Sequence, residues 1–112
     1  MKTQGVGLPK NRPPTHPGTM LLKEFLEPME ISQAELARAL GIPFQRVNEI
    51  VRGKRGVTAE TAILLGQFFG MSPNFWINAQ SSTDLYWAEK HLALVLPNIP
   101  KAIELHPKHA TA

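Results

Sequence analysis

Residues 33–52 read QAELARALGIPFQRVNEIVR, and this stretch decides the fold. A helix-turn-helix crosses two short helices at a steep angle through a tight turn, which makes three demands on sequence. A small residue is needed where the helices cross, and Ala37 supplies it. A residue tolerant of positive φ is needed four positions on, where Gly41 sits. Apolar side chains must then prop the second helix from beneath, and Ile42, Val47 and Ile50 are spaced to do so. Ser32 with Glu35 forms a capping box that starts the first of the two helices, and Leu36, Ala37 and Leu40 give it an inner face. Helical hairpins that merely pack a bundle share part of this pattern, so the outer face has to separate the two readings.

On the helix predicted from Pro43, residues Phe44, Gln45, Arg46, Asn48, Glu49 and Arg52 point away from the apolar stripe. Gln and Asn bond bidentately to adenine edges, and Arg to guanine edges, in the major groove. A merely solvated helix more often carries Glu and Lys in i,i+4 pairs. Phe44 either touches a thymine methyl or rests on the first helix. Glu49 either reads a cytosine amino group or orients Arg46 or Arg52. Gln33, in the first turn of the preceding helix, is placed to meet a phosphate together with free backbone N–H groups. Arg52, Lys54 and Arg55 surround Gly53 in a basic turn beside this helix, which is either a phosphate-binding turn or merely a solvated one. Between residues 43 and 58 four cations against Glu49 leave +3, equal to the formal charge of the whole chain, which sets 12 Lys and Arg against 9 Asp and Glu. Charge is focused on the proposed DNA face rather than spread over the surface.

Outward from this core the helical signals continue. A first helix opens at Pro17, capped by Thr15 or His16, with an apolar stripe of Leu21, Leu22, Phe25, Leu26 and Met29; Pro28 predicts its end at Glu27. A fourth helix follows the cap Thr58, runs AETAILLGQFF to Gly70, and is apolar nearly all round, which predicts a central position. A fifth begins at Ser72-Pro73 and carries Phe75, Trp76 and Ala79. A separate last stretch from about Thr83 to Leu96 presents Leu85, Ala88, Leu92 and Val95. No strand is signalled, and the expectation is an all-α bundle with short connections. Prolines crowd both ends. They divide the chain into a flexible arm over residues 1–14, a DNA-binding and dimerisation domain over 15–96, and a mobile tail over 97–112.

Composition bounds the function. With 112 residues, one core is expected, and 43% apolar with 19% charged residues suits a globular chain. The absence of cysteine removes disulfides, thiolate zinc sites and thiol nucleophiles together. No apolar run reaches the roughly 18 residues of a membrane span, and residues 1–18 lack the apolar core of a signal peptide, so a soluble cytoplasmic protein without membrane contact is expected. His16, His91, His106 and His109 do not form a metal-ligand pattern. No catalytic triad order, paired carboxylate pocket or phosphate loop appears, so neither enzyme activity nor a cofactor is expected. Phe75, Trp76, Leu85, Tyr86 and Trp87 gather towards the C-terminus, either as core or as the seam of a dimer.

The run RPPTHPGTMLLKEFLEP, the segment QAELARALGI through RVNEIVRGKRGVTAETAILLGQFFG, and SPNFWINAQ together resemble the HigA/VapI branch of the Xre-type helix-turn-helix proteins, antitoxins of type II toxin–antitoxin modules. The resemblance spans roughly residues 12–90. It implies a compact five-helix, lambda-repressor-like bundle with a C-terminal helix and assembly as a homodimer. It also implies binding to an inverted-repeat operator in the protein's own promoter, and silencing of a HigB/RelE-like mRNA interferase toxin. Gln33, Gln45, Arg46 and Asn48 match positions that such proteins use for DNA, and Arg52, Lys54 and Arg55 match their basic turn. Where family members often carry Tyr-Asp-Leu-Trp after the fifth helix, this chain has Thr83-Asp84-Leu85-Tyr86, with Trp87 next. A stand-alone or phage-type repressor without a toxin is the alternative reading; a purely structural interaction module is a third, and it predicts no affinity for DNA at low salt.

Overall fold

The first helix starts on a histidine. His16 is extended (φ −64°, ψ 138°), and its Nδ1 accepts the Gly18 N–H at 2.8 Å, while Pro17 fills the first helical position, where a missing N–H has no helical partner to lose. This helix, α1 (17–29), continues as a π-helical stretch, Leu21–Leu26, and a last turn, Glu27–Met29. The expectation that Pro28 ends the helix at Glu27 is therefore corrected. Glu27 N–H reaches back five residues to the Leu22 carbonyl, and the widened turn admits the proline ring that a regular α-turn would exclude. The helix stops instead at Glu30, which is left-handed at φ 56°. The computed structural model describes residues 12–106, and every regular element among them is helical.

Helix α2 (Gln33–Leu40) carries both halves of its capping box: Glu35 N–H donates to Ser32 Oγ at 3.0 Å and Ser32 N–H to Glu35 Oε1 at 2.8 Å. Gly41 then turns the chain at φ 72°, a conformation that a Cβ would strain. Helix α3 (Phe44–Val51) follows with Pro43 as its cap residue. Helix α4 (Ala59–Phe69) starts on the Thr58 hydroxyl. Helix α5 runs unbroken over Pro73–His91, which corrects the expectation of two helices here. No glycine or proline lies between Asn74 and His91, and Gln80 and Asp84 join one turn to the next across the supposed break, so the polar Ser-Ser-Thr-Asp run is carried within the helix. After it come a 3₁₀ turn (Leu96–Asn98) and a short helix α6 (Ala102–Leu105). Residues 1–11 of the expected arm and 107–112 of the expected tail lie outside the described residues. Among those described, no helix is long and apolar enough to cross a membrane.

One core joins α1 to α5. Leu21, Leu26, Leu36, Val47, Ile50 and Leu65 are buried in it with Ala37 and Trp76, and each large aliphatic side chain removed from water contributes about 1.5–3 kcal/mol before entropy is charged. Ala37, Ile42, Val47 and Ile50 thus pack the helix-turn-helix around the Gly41 turn; Ile42 is partly buried. Helix α4 buries Ala62, Leu65 and Gly66 but leaves Ile63 and Phe68 exposed. It is flanked by α2 and α5, with Phe25 of α1 against Phe69 at 4.8 Å, and the face carrying Ile63 and Phe68 stays open, so it is not surrounded as its sequence predicted. Trp76 is wholly buried (0% exposed), with the rings of Phe75, Phe25 and Phe69 at 5.0, 5.2 and 6.2 Å. Trp76 is therefore core and is removed from the dimer seam: the first turns of α5 lie against α1 and α4, which close over the indole.

The molecule is elongated, 57 × 34 × 25 Å. From Trp87 to His106 every residue is exposed, including Ala88, Leu92 and Val95, the apolar residues that the last stretch presents, and Leu94 is 90% exposed. Among the described residues, the end of α5 beyond Tyr86, the 3₁₀ turn and α6 are covered by no other element.

Candidate nucleic-acid interface

The outer face of α3 is arranged by two small hydrogen-bond clusters. In the first, Asn48 Nδ2 donates to Gln33 Oε1 at 3.0 Å, joining α3 to the first turn of α2 across the helix-turn-helix. Both side chains are half-buried, and each amide keeps a second polar group for an outside partner. In the second, Glu49 is the hub. Its Oε1 accepts Arg55 Nε at 2.9 Å and its Oε2 accepts Gln45 Nε2 at 3.3 Å. The partner of Glu49 is thus Arg55, rather than Arg46 or Arg52. Gly53, at φ 75°, turns the chain back so that the N–H groups of Lys54 and Arg55 meet the Glu49 carbonyl at 2.8 and 3.2 Å, which brings the Arg55 side chain over the carboxylate. That bond to Arg55, helped by Gln45 and the charge of Lys54 and opposed by partial desolvation, holds the Glu49 carboxyl below its usual range.

Gln45, Arg52, Lys54 and Arg55 are exposed, and Arg46 is half-buried. Phe44 stands at the start of α3 with 52% of its surface in solvent, so it does not rest fully on α1. Of the nine expected DNA residues, five are joined by side-chain bonds into the two clusters (Gln33 with Asn48; Gln45, Glu49 and Arg55), and all nine belong to one continuous structural unit, α2–turn–α3–basic turn. This unit offers amide edges and guanidinium groups on a short rod whose underside is apolar, and these are the groups that read base edges and hold phosphates.

Two supports behind this face have no counterpart in the sequence reading. Gly18 of α1 lies against the C-terminal end of α3 so closely that a Cβ there would run into the Ile50 carbonyl oxygen. Past the basic turn, Val57 N–H donates to Gln80 Oε1 at 2.8 Å, and Gln80 Nε2 donates to Asp84 Oδ1 at 2.9 Å. Helix α5 therefore anchors the chain leaving the basic turn. The sequence signal for this is an i,i+4 polar pair on a helix of mixed polar and apolar residues, which any solvated face also shows. Of the dimer candidates other than Trp76, Phe75 and Leu85 are exposed, Tyr86 is half-buried, and Trp87 is 55% exposed with its ring 5.1 Å from Tyr86.

This geometry has counterparts among known proteins. The helix-turn-helix family model HTH_3 matches residues 22–76. Virulence-associated protein I of Dichelobacter nodosus is 46% identical over 78 residues, covering 70% of this chain and 72% of that protein. Antitoxin HigA-1 of Vibrio cholerae is 43% identical over 76 residues, or 67% of this chain and 70% of that protein. The solved structure of the Pseudomonas aeruginosa antitoxin HigA with the higBA promoter superposes with a TM-score of 0.76 at 41% identity, covering 80% of this chain and 98% of that one.

Proposed function

Since the chain belongs to the HigA/VapI-type branch of the Xre helix-turn-helix family, DNA-binding antitoxins that are not enzymes, we propose that it binds an inverted-repeat operator in its own promoter as a homodimer and silences a HigB/RelE-like toxin. The observation that carries the DNA half is the Gln33–Asn48 amide pair. It ties a base-reading amide on α3 to a phosphate-facing amide on α2, beside a turn holding most of the basic charge of the region.

In this reading Phe44, Gln45, Arg46 and Asn48 face base edges, while Gln33, Arg52, Lys54 and Arg55 hold phosphates. Glu49 sets the positions of Gln45 and Arg55 and, when Arg55 turns to a phosphate, is free to accept from a cytosine amino group. The two copies of α3 enter successive major grooves about 34 Å apart. The dimer seam is formed by Phe75, Leu85, Tyr86 and Trp87 together with the exposed apolar residues beyond α5, because an isolated chain leaves that surface wet. Residues 15–96 act as the DNA-binding and dimerisation unit, in the cytoplasm.

A fluorescence-anisotropy salt series with the promoter fragment tests the DNA half. If about six phosphates are neutralised per dimer, log K falls against log salt with a slope near −5. Binding that ignores salt overturns it. Co-expression with the neighbouring open reading frame, followed by pull-down, tests the toxin half: recovery of a small basic nuclease-like protein supports it, and its absence favours a stand-alone repressor.

A further inference from the structure

The two supports of the duplex-facing helix converge on one residue. On one side, Gly18 seats against the Ile50 carbonyl, the same oxygen that accepts Gly53 N–H at 3.0 Å to open the basic turn. On the other, Val57 hangs from Gln80, and Gln80 from Asp84. Between them stands His16, whose Nδ1 accepts the Gly18 N–H at 2.8 Å and which feels the Asp84 carboxylate.

We propose that His16 is a positioning residue for DNA binding: its neutral imidazole caps α1 and keeps Gly18 seated on Ile50, and its protonation unseats that end of α3 and weakens operator affinity. The inference rests on the reading of α3 as the duplex-facing helix.

The chemistry is that of a two-nitrogen ring. Nδ1 accepts a hydrogen bond only while it carries no proton, and an imidazolium has donors at both nitrogens. Placed against the Gly18 N–H, a protonated ring loses the cap, and its positive charge also faces the positive end of the α1 dipole. From α5 the Asp84 carboxylate faces the ring and favours the cation; from α3 the neighbouring backbone group is the uncharged Ile50 carbonyl on Gly18. Burial outweighs Asp84, so the His16 pKa lies below the ordinary histidine value. The cap is therefore complete above the ordinary value of about 6.5 and is lost as pH falls through the lower folded value. Operator binding, which needs the seated form, expels the proton.

The experiment uses the full chain and its promoter fragment at fixed salt, between about pH 8 and about pH 5.5. Wild-type affinity is expected to fall about fivefold across this range, the scale of one lost helix cap. His16→Asn, which caps well and does not titrate, is expected to remove that fall while keeping the affinity seen at high pH. Asp84→Asn is expected to move the fall to lower pH. In the DNA-free wild type, amide exchange at Gly18 and Gly53 should quicken together as the His16 ring resonances titrate. A His16→Asn variant that keeps the wild-type fall overturns the inference, as does Gly53 exchange that ignores the His16 titration. Failure of every variant to bind the promoter at about pH 8 would instead strike the DNA reading itself, leaving the exchange measurement to judge the coupling.

Discussion

Asn48 donates to Gln33 at 3.0 Å across fifteen residues of sequence, so the position proposed to read a base on α3 and the one proposed to face a phosphate on α2 share one hydrogen bond. The pair fixes the rotamer of each amide before DNA arrives, and ordering them beforehand lowers the entropy lost on binding. Asn48→Ala is expected to cost roughly 1–3 kcal/mol of operator affinity with relaxed preference at one base pair, and Gln33→Ala to weaken all sequences. Because the two act together, the double variant should lose less than the two single losses combined, by about 0.5–1.5 kcal/mol. Strictly additive losses in a double-mutant cycle would show that the amide pair has no part in recognition.

Glu49 poses the opposite problem, since an acid on the proposed DNA face repels phosphate. It is tolerated because Arg55 and Gln45 occupy both of its oxygens. Glu49→Gln should therefore raise affinity for random duplex and steepen the salt slope by about one unit per protomer, while narrowing the margin by which the operator is preferred. Binding titrations on operator and scrambled duplex at several salt concentrations measure both. An unchanged margin would remove Glu49 from the positioning of Gln45 and Arg55.

What could be read from sequence was what short-range rules govern. The capping box at Ser32 and Glu35, the positive-φ turn at Gly41 and the Thr58 cap each depend on neighbours within four residues, and they form as their local chemistry demands. The features that escaped depend on distant partners. Pro28 stays helical because the turn before it widens; Trp76 enters the core because Phe25 and Phe69 arrive from two other helices. At the candidate site the residue types and their face were legible, but the partner of Glu49 was not, because it is set by the reversal at Gly53. Gln80 was silent for the same reason, its partner Val57 lying 23 residues away.

The same capping box gives the fold an acid limb. Glu35 is held below its ordinary pKa chiefly by the backbone and side-chain bonds from Ser32, with Arg38 assisting against desolvation. A lowered folded pKa means that the contribution is present above the unfolded value, about 4.3, and is lost as pH falls through the folded one. Thermal melts between about pH 6 and pH 3 should show the midpoint dropping on the acid side, with a shallower drop in Glu35→Gln. Equal slopes in both proteins would deny the capping box this role.

Gly18→Ala places a methyl group on the Ile50 carbonyl oxygen, and the atoms it runs into are backbone, not the end of a flexible side chain. Relief requires α1 to move off α3, so the expected loss is about 3 kcal/mol or more, a drop in melting midpoint above about 10 °C. Ala37→Phe, at the crossing of α2 and α3, is expected to cost roughly 1–3 kcal/mol by the same kind of overpacking. Calorimetry on both variants checks this, and a Gly18→Ala protein as stable as the wild type would show that α1 has slack at its junction with α3.

Trp87 tests the assembly. On a single chain it lies 55% exposed, edge-on to Tyr86, at the point from which no later described residue is covered. An apolar surface of this kind is costly in water and is relieved when a second copy covers it. Trp87→Glu puts a charge into the proposed seam while leaving Trp76 and the core of the single chain untouched. Sedimentation velocity should show the wild type as a dimer and Trp87→Glu as a folded monomer with an unchanged helical spectrum. The monomer should bind a half-site duplex as before and lose the added affinity of the full inverted repeat, because only a linked pair of α3 helices gains from the second groove. A Trp87→Glu protein that stays dimeric would move the seam elsewhere, with the exposed aromatic ring Phe75 the next position to charge.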